Sequence, residues 1–239
     1  MNPIENITSL NNRFEKAPTG EILQWVWSQF GPRAAIGTSF QGAGLVAMHI
    51  SKSLGLNFPI FTIDTDLLFD ETIELKCELE KFFNVKITVL KSELSLEKQS
   101  GIYGDALWAR DPDLCCTIRK VIPLQNHLAN LDCWITGLRR QQSQTRADIR
   151  IIEIYTFDES EKKEIVKVNP LANWSREQVW EYIKKHNIPY NKLHDKGYKS
   201  IGCKPCTSVV PGEENERAGR WIGFQKTECG IHTFLKRKC

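Results

Sequence analysis

The sequence predicts an α/β fold, a mainly parallel sheet flanked by helices. Three observations carry this expectation. Short runs rich in Ile, Val, Phe and Thr recur between stretches with helical spacing. The segments that follow three of those runs are polar or glycine-rich, as ligand-bearing strand ends are in such sheets. Strict alternation appears only late, over residues 151–168, where IIEIYTF and IVKV flank a charged DESEKKE turn and predict an antiparallel hairpin.

The elements follow in order. Residues 1–30 read as helical, with Ile22, Leu23, Val26 and Phe30 near helical spacing, until Gly31-Pro32 breaks the pattern. Residues 33–39 read as a short buried strand, and Gly42 and Gly44 open a helix carrying Val46, Met48, His49 and Ile50. A second strand over 58–64, a helix over 70–83 and a third strand over 85–90 come next. A helix around 117–130 leads to a fourth strand over 133–137. After the hairpin, Ser175 is a helix N-cap with Glu177 and Gln178 in the first turn. Residues 195–239 are rich in Gly, Lys, Arg and Cys and poor in periodic apolar residues, which marks a mobile or site-forming tail.

Composition narrows the function classes. A formal net charge of only +3 leaves no whole-chain footprint for nucleic acid or membrane surfaces. The N-terminal MNPIENITSLNNRF has no basic and apolar export pattern, and no apolar run approaches a membrane span, so a cytoplasmic protein is expected. Eight cysteines in a chain of 239 residues with 41% hydrophobic content are not needed as disulfide staples, so metal binding or thiol catalysis is the expectation.

The chemistry-bearing residues fall into clusters. SFQGAG, residues 39–44, places Ser39, Gly42 and Gly44 between strand and helix, where glycine permits close backbone approach and a helix N-terminus favours an anion. Asp64-Thr-Asp66 ends the second strand and suits a ribose hydroxyl, a metal or a solvated loop. GLRRQQSQTR, residues 137–146, offers Arg139 and Arg146 amid Ser, Thr and Gln, an anion clamp in which guanidinium forks meet phosphate or sulfate. Arg217 and Arg220 share a helical spacing near the C-terminus.

The cysteines divide by spacing. Cys115-Cys116 lies roughly ninety residues before Cys203-Lys-Pro-Cys206, and two pairs make four thiolates, the complement for zinc or an iron–sulfur cubane. Arg119, Lys120 and Lys204 sit beside them and offset a tetrathiolate charge. Cys229, in TECGIH, is either a nucleophile with His232 as nearby base or cation, or a surface cysteine on a frayed tail. Cys77 and Cys133 lie in apolar-patterned elements and are expected in the core; Cys239, the terminal residue, is expected to be exposed.

Taken together, CCTIRKVIPL, CKPC, ECGIH, GLRRQQSQTR and IDTDLLFDET make the chain resemble the assimilatory adenylyl-sulfate reductases, relatives of the phosphoadenylyl-sulfate reductases, from about Arg33 to His232. The resemblance implies an adenine-nucleotide α-hydrolase-like fold. It implies residues 1–208 as a nucleotide- and cluster-binding α/β unit and 209–239 as a C-terminal catalytic tail. Cys115, Cys116, Cys203 and Cys206 would then ligate a [4Fe–4S] cluster. Ser39, Gly42, Gly44 and Asp64 would border the nucleotide, and Arg119, Arg139, Arg146, Arg217 and Arg220 would contact the phosphosulfate. Lys120 would lie between cluster and substrate.

In the implied reaction Cys229 attacks the sulfur of adenylyl sulfate, AMP leaves, and thioredoxin or a similar dithiol releases sulfite from the S-sulfocysteine. Some cluster-bearing relatives accept the 3′-phosphorylated nucleotide too. A homo-oligomer is expected, with the number of copies left open. The sequence departs from the common family pattern at Gly44-Leu45, where relatives usually carry an acidic pair, and at Asp66, where glycine is commoner. A tRNA-thiolating sulfurtransferase is the main rival, but the chain lacks an SGGxDS-type pyrophosphatase loop. A purely structural zinc module is the other.

Overall fold

The computed structural model describes residues 6–158, 163–212 and 215–232. The N-terminal stretch forms two helices, α1 (Ile7–Phe14) and α2 (Thr19–Phe30), with Gly31 at φ +50° ending the second. The alternation that follows runs β1 (Ala34–Gly37), α3 (Gly42–Ser53), β2 (Ile60–Ile63), α4 (Asp70–Phe83) and β3 (Ile87–Leu90). It continues through the short helices α5 (Leu96–Tyr103), α6 (Leu107–Arg110), α7 (Pro112–Cys116) and α8 (Ile122–Leu128) to β4 (Cys133–Ile135). The hairpin is β5 (Ile152–Asp158) and β6 (Lys163–Val168), and α9 (Arg176–Lys185) follows. Ser175 caps α9 with the reciprocal box the sequence predicts, its hydroxyl accepting from Gln178 N–H while the Gln178 side chain accepts from Ser175 N–H.

The six strands form one sheet in the order β3-β2-β1-β4-β6-β5. Every neighbouring pair is parallel except β5 with β6. The hairpin is therefore built into the sheet: β6 pairs with β4 in parallel, Val166 beside Cys133 and Val168 beside Ile135, and β5 takes the edge. The chain leaves β1 towards β2 and β3, then returns to its other side at β4, which makes β1/β4 the point where the winding reverses.

Side chains alternate across the sheet as period two demands. Ala34, Ile36, Ile60, Cys133 and Ile135 face a core shared with α1, α2, α3, α4 and α9. Ala35, Phe61 and Trp134 face the opposite layer with Leu124 and Leu128 of α8. Cys133 is fully buried, as expected. Cys77 is not: it is exposed on α4, whose buried stripe is Thr72, Leu75, Leu79 and Phe83. Position 77 falls two residues beyond Leu75, on the solvent side of a 3.6-residue repeat, which corrects the core expectation. Cys239 lies outside the described residues, as does most of the predicted hairpin turn.

Candidate active site

The residues around Ser39 sit where the switch-point geometry puts them. Phe40 is buried at φ +58°, a left-handed backbone that turns the chain sharply from β1 into α3, and the Thr38 hydroxyl accepts from its N–H at 2.9 Å. Gly44 and Gly137 are required by close packing. A methyl on Gly44 would stand 2.3 Å from Thr38 Oγ1, and one on Gly137 would stand 2.8 Å from the Gly44 nitrogen. The ends of β1 and β4 can thus approach α3 only through glycine, which accounts for the unusual Gly44.

Beyond those strand ends lies a cavity of about 200 Å³. Ser39, Gly42, Gly44, Lys120, Arg139, Arg146, Arg217, Arg220, Cys203, Cys229 and His232 all line it, although they come from every part of the chain. Asp64 and Arg119 are not among the lining side chains, although Ile63 and Thr65, on either side of Asp64, are. Asp64 pairs with Lys91 at 2.9 Å, and Asp66 with the same lysine at 2.8 Å. Arg119 is 1% exposed, giving Nη1 to Asp66 at 2.9 Å and Nε to Gln99 at 2.8 Å. The acidic loop after β2 also acts as a strut: Asp66 holds Arg119, the Thr65 hydroxyl lies 3.2 Å from Cys203 Sγ, and Leu68 bridges Cys203.

The cysteine pairs come from these same segments. Cys115 and Cys116 end α7, after which Thr117–Val121 widens into a single π turn, closed by Ile122 N–H donating to Thr117 O, that carries Arg119 and Lys120. Such turns are rare and concentrate at functional sites. Pro123 just inside α8 lacks the N–H that would otherwise restore regular winding. Cys115, Cys116, Cys203 and Cys206 are all free thiols, the first three buried. Burial, helped by Cys203 and Cys206 and opposed by Lys120 and Arg119, pushes the Cys115 thiol up to about 11. Cys116 is pushed up to about 12, again chiefly by burial. Arg119 Nη2, buried beside them, has no hydrogen-bond partner among the described residues. No group of three or more His, Cys, Asp or Glu side chains among the described residues stands ready to hold a single metal ion.

Cys229 behaves oppositely. Burial raises its thiol, but Lys120, the Ile231 N–H, Arg217 and Arg220 outweigh that and leave it below the ordinary thiol value. Lys120 is in turn held charged: burial opposes its charge, and Cys203, Cys116 and Cys229 favour it more strongly. His232 is not among the charges that lower the Cys229 thiol. Burial, then Lys167, Arg146 and Arg217, hold its imidazole well below the usual histidine range, so it is neutral near pH 7 and is no cation. Its ring stacks on Trp134 at 5.0 Å with 10° between planes, while Ile231 packs against the same apolar layer. The stack ties the end of the tail to the sheet, and the neutral imidazole beside Cys229 keeps the form a base requires.

The arginines are partnered by acids that sequence reasoning passed over. Arg139 holds Glu216 through Nη2 at 2.7 and 2.9 Å. Arg146 and Arg217 both hold Glu228. Trp221, at φ +51° and buried, gathers Arg220, Lys226 and Arg217 around its ring at 4.5, 5.4 and 5.5 Å. Arg220 reaches Cys206 O with Nε at 3.3 Å, passing over Gly202, where a methyl would collide with the guanidinium at 2.1 Å. Glu228 was visible as the neighbour of Cys229; Glu216 and Trp134 carried no local signal.

The phosphoadenosine phosphosulfate reductase domain model matches residues 33–209. An adenosine 5'-phosphosulfate reductase of Salinibacter ruber is 43% identical over 228 residues, covering 95% of this chain and 88% of the relative. Adenosine 5'-phosphosulfate reductase 2 of Bacillus subtilis is 42% identical over 213 residues, covering 89% and 88%. Among solved structures, a phosphoadenylyl-sulfate (PAPS) reductase from Candida auris superposes with a TM-score of 0.73 at 31% identity, covering 87% of this chain and 97% of that one. A Candida glabrata FMN adenylyltransferase shares the fold alone, at TM-score 0.60 and 12% identity over 85% of this chain and 66% of that one. The chain belongs to the phosphoadenosine phosphosulfate reductase domain family and is one of its oxidoreductases.

Proposed function

We propose that the protein reduces adenylyl sulfate to sulfite and AMP in sulfate assimilation, with Cys229 as nucleophile and thioredoxin or a similar dithiol as reductant. One observation carries this reading: an acidified thiol, Cys229, lines the same cavity as the Ser39–Gly44 loop and the Lys120 cation. The loop suits a nucleotide, and the cations suit a phosphosulfate. The names of the relatives above support the same substrate class.

The Cys229 thiolate attacks the sulfate sulfur, an S–S bond forms, and the S–O bond to phosphate breaks with its electron pair leaving on AMP. Lys120 offsets charge on the sulfate oxygens and favours the thiolate form of Cys229. A thiolate of the dithiol then attacks Cys229 Sγ. Sulfite departs with the electron pair, and the second thiol of the carrier closes its disulfide and frees Cys229. The dithiol supplies both electrons, so the thiol steps balance by themselves.

Cys115, Cys116, Cys203 and Cys206 would hold a [4Fe–4S] cluster. Four free thiols on two facing segments, with the orphaned and buried Arg119 Nη2 beside them, fit an anionic thiolate-bound group. Such a cluster, when bound, supplies charge and a covalent tie at the wall of the cavity. Four iron and four acid-labile sulfide per chain after anaerobic purification would support it; stoichiometric zinc would end it.

The decisive assay is anaerobic turnover of adenylyl sulfate and of its 3′-phosphorylated form with reduced thioredoxin. Sulfite and AMP are expected from adenylyl sulfate, and Cys229→Ser should lower the rate about 10³-fold or more while leaving iron content unchanged. Turnover retained in Cys229→Ser would sink the nucleophile assignment. Sulfur transfer to tRNA with no sulfite formed would sink the reaction.

A further inference from the structure

The side chain next to the nucleophile is the most heavily bound carboxylate in the site. Glu228 Oε1 accepts from Arg146 Nε at 2.8 Å and from the Thr145 hydroxyl at 3.1 Å. Its Oε2 accepts from Arg146 Nη2 at 2.7 Å and from Arg217 Nη2 at 3.2 Å. This is a fork-on-fork pair, and it is sheltered: the Glu228 and Arg146 side chains are 9% and 10% exposed. Arg217 Nη2 also donates to Thr227 O at 2.8 Å, so the backbone just before Glu228 is gripped as well.

Three of the five N–H donors of Arg146 are already taken within the chain. Its Nη1 donates to Gln142 Oε1 at 2.6 Å, so Nε, Nη1 and Nη2 each meet an acceptor of this chain. Gln142 is itself fixed, because the same Oε1 accepts from Arg139 N–H at 3.1 Å. The receiver is thus prebuilt on the loop after β4, and Cys229 follows its occupant by one residue.

We infer that Glu228 is a positioning residue for Cys229, and that Arg146 with Thr145 is the dock for its carboxylate, not a ligand of the phosphosulfate. The inference rests on the reading of Cys229 as nucleophile. It reassigns Arg146 from substrate contact to tail anchor. Holding the reacting atoms in line depends on such anchors, since a displacement of about 1 Å can cost about 10²-fold in rate.

The test uses Glu228→Gln, Glu228→Asp and Arg146→Lys in the full-length holoprotein. Steady-state turnover of adenylyl sulfate is combined with hydrogen–deuterium exchange over 222–232. Glu228→Gln keeps the size but loses the charge. It should lower kcat by about ten- to a hundredfold with KM within about twofold, and speed exchange in the tail. Arg146→Lys, which cannot fork, should reproduce both effects. Glu228→Asp, which keeps the charge, should recover part of kcat. A raised KM with unchanged kcat and unchanged exchange in Arg146→Lys would return Arg146 to the substrate and overturn the inference. So would unchanged kcat and exchange in Glu228→Gln. Should the wild-type protein form no sulfite from adenylyl sulfate, the functional reading fails, and the exchange comparison still decides whether Glu228 docks the tail.

Discussion

Where the ends of β1 and β4 meet α3, glycines and apolar side chains leave no room for an added methyl; residues 215–232 reach the same cavity on arginine–glutamate pairs and cations around one indole. The first region is non-directional burial over a rigid sheet. Apolar contact in the second is confined largely to Trp221, Ile231 and the His232–Trp134 stack. Packing of the first kind is not screened by ionic strength and, near neutrality, is insensitive to pH. Charge pairing of the second kind responds to both, although its buried members are screened less than surface ones. The nucleophile is carried by the region that charge governs. The contrast teaches that this site has a fixed wall, set by the sheet, and an adjustable wall, set by ion pairs.

The largest effect expected on the adjustable wall comes from a cation that faces it from the π turn, through Lys120→Ala. Lys120 is the foremost charge holding the Cys229 thiol low, and removing a cation removes stabilisation of the thiolate. The thiol value therefore rises, and less thiolate is present at neutral pH. The rate of Cys229 alkylation by iodoacetamide against pH should move its acid limb upward, and turnover at pH 7 should fall about a hundredfold. An alkylation profile superposable on wild type would show that Arg217, Arg220 and the Ile231 N–H suffice.

The fixed wall is broken differently. Gly137→Ala puts a methyl 2.8 Å from the Gly44 nitrogen and 3.1 Å from its Cα, both backbone atoms that cannot rotate away. Overpacking of this kind costs about 1–3 kcal/mol, and each kcal/mol lowers Tm by about 2–4 °C in a chain of this size. The loss should be the same in low and high salt by differential scanning calorimetry. A salt-dependent loss would mean that the two walls are coupled, and an unchanged Tm would mean that the approach of β4 to α3 is softer than its contacts imply.

The same contrast explains what was legible in the sequence. The strands and the helices between the first of them were, because burial imposes periodicity: Ile36, Ile60 and Ile135 face one layer and Ala35, Phe61 and Trp134 the other, whereas the short helices over 96–116 carry too few turns to show a stripe. The Ser175 box was, because capping is local. Partners joined only by the tertiary fold were not. Arg139 and Glu216 are far apart in sequence, and nothing near either announces the other. The basic motifs were readable as anion clamps, but the anions holding Arg139 and Arg146 are the chain's own carboxylates. Periodicity also failed at Cys77, where an apolar-patterned helix has only one buried stripe.

The smallest effect separates a strut from a ligand at Asp64. Its carboxylate faces Lys91, whose side chain is 52% exposed, and lies outside the cavity. Partial exposure screens such a pair, so Asp64→Asn should cost at most about 1 kcal/mol. Lys91 keeps Asp66 as a second partner at 2.8 Å, and Asp66 in turn keeps Arg119, so the loop retains its tie to the π turn. The KM for adenylyl sulfate should stay within about twofold, because the lost charge touches neither nucleotide loop nor cations of the cavity. A KM raised about tenfold at unchanged Tm would put the Asp64 carboxylate on the ribose after all, and the boundary between fixed wall and strut would have to be drawn one residue deeper into the loop after β2.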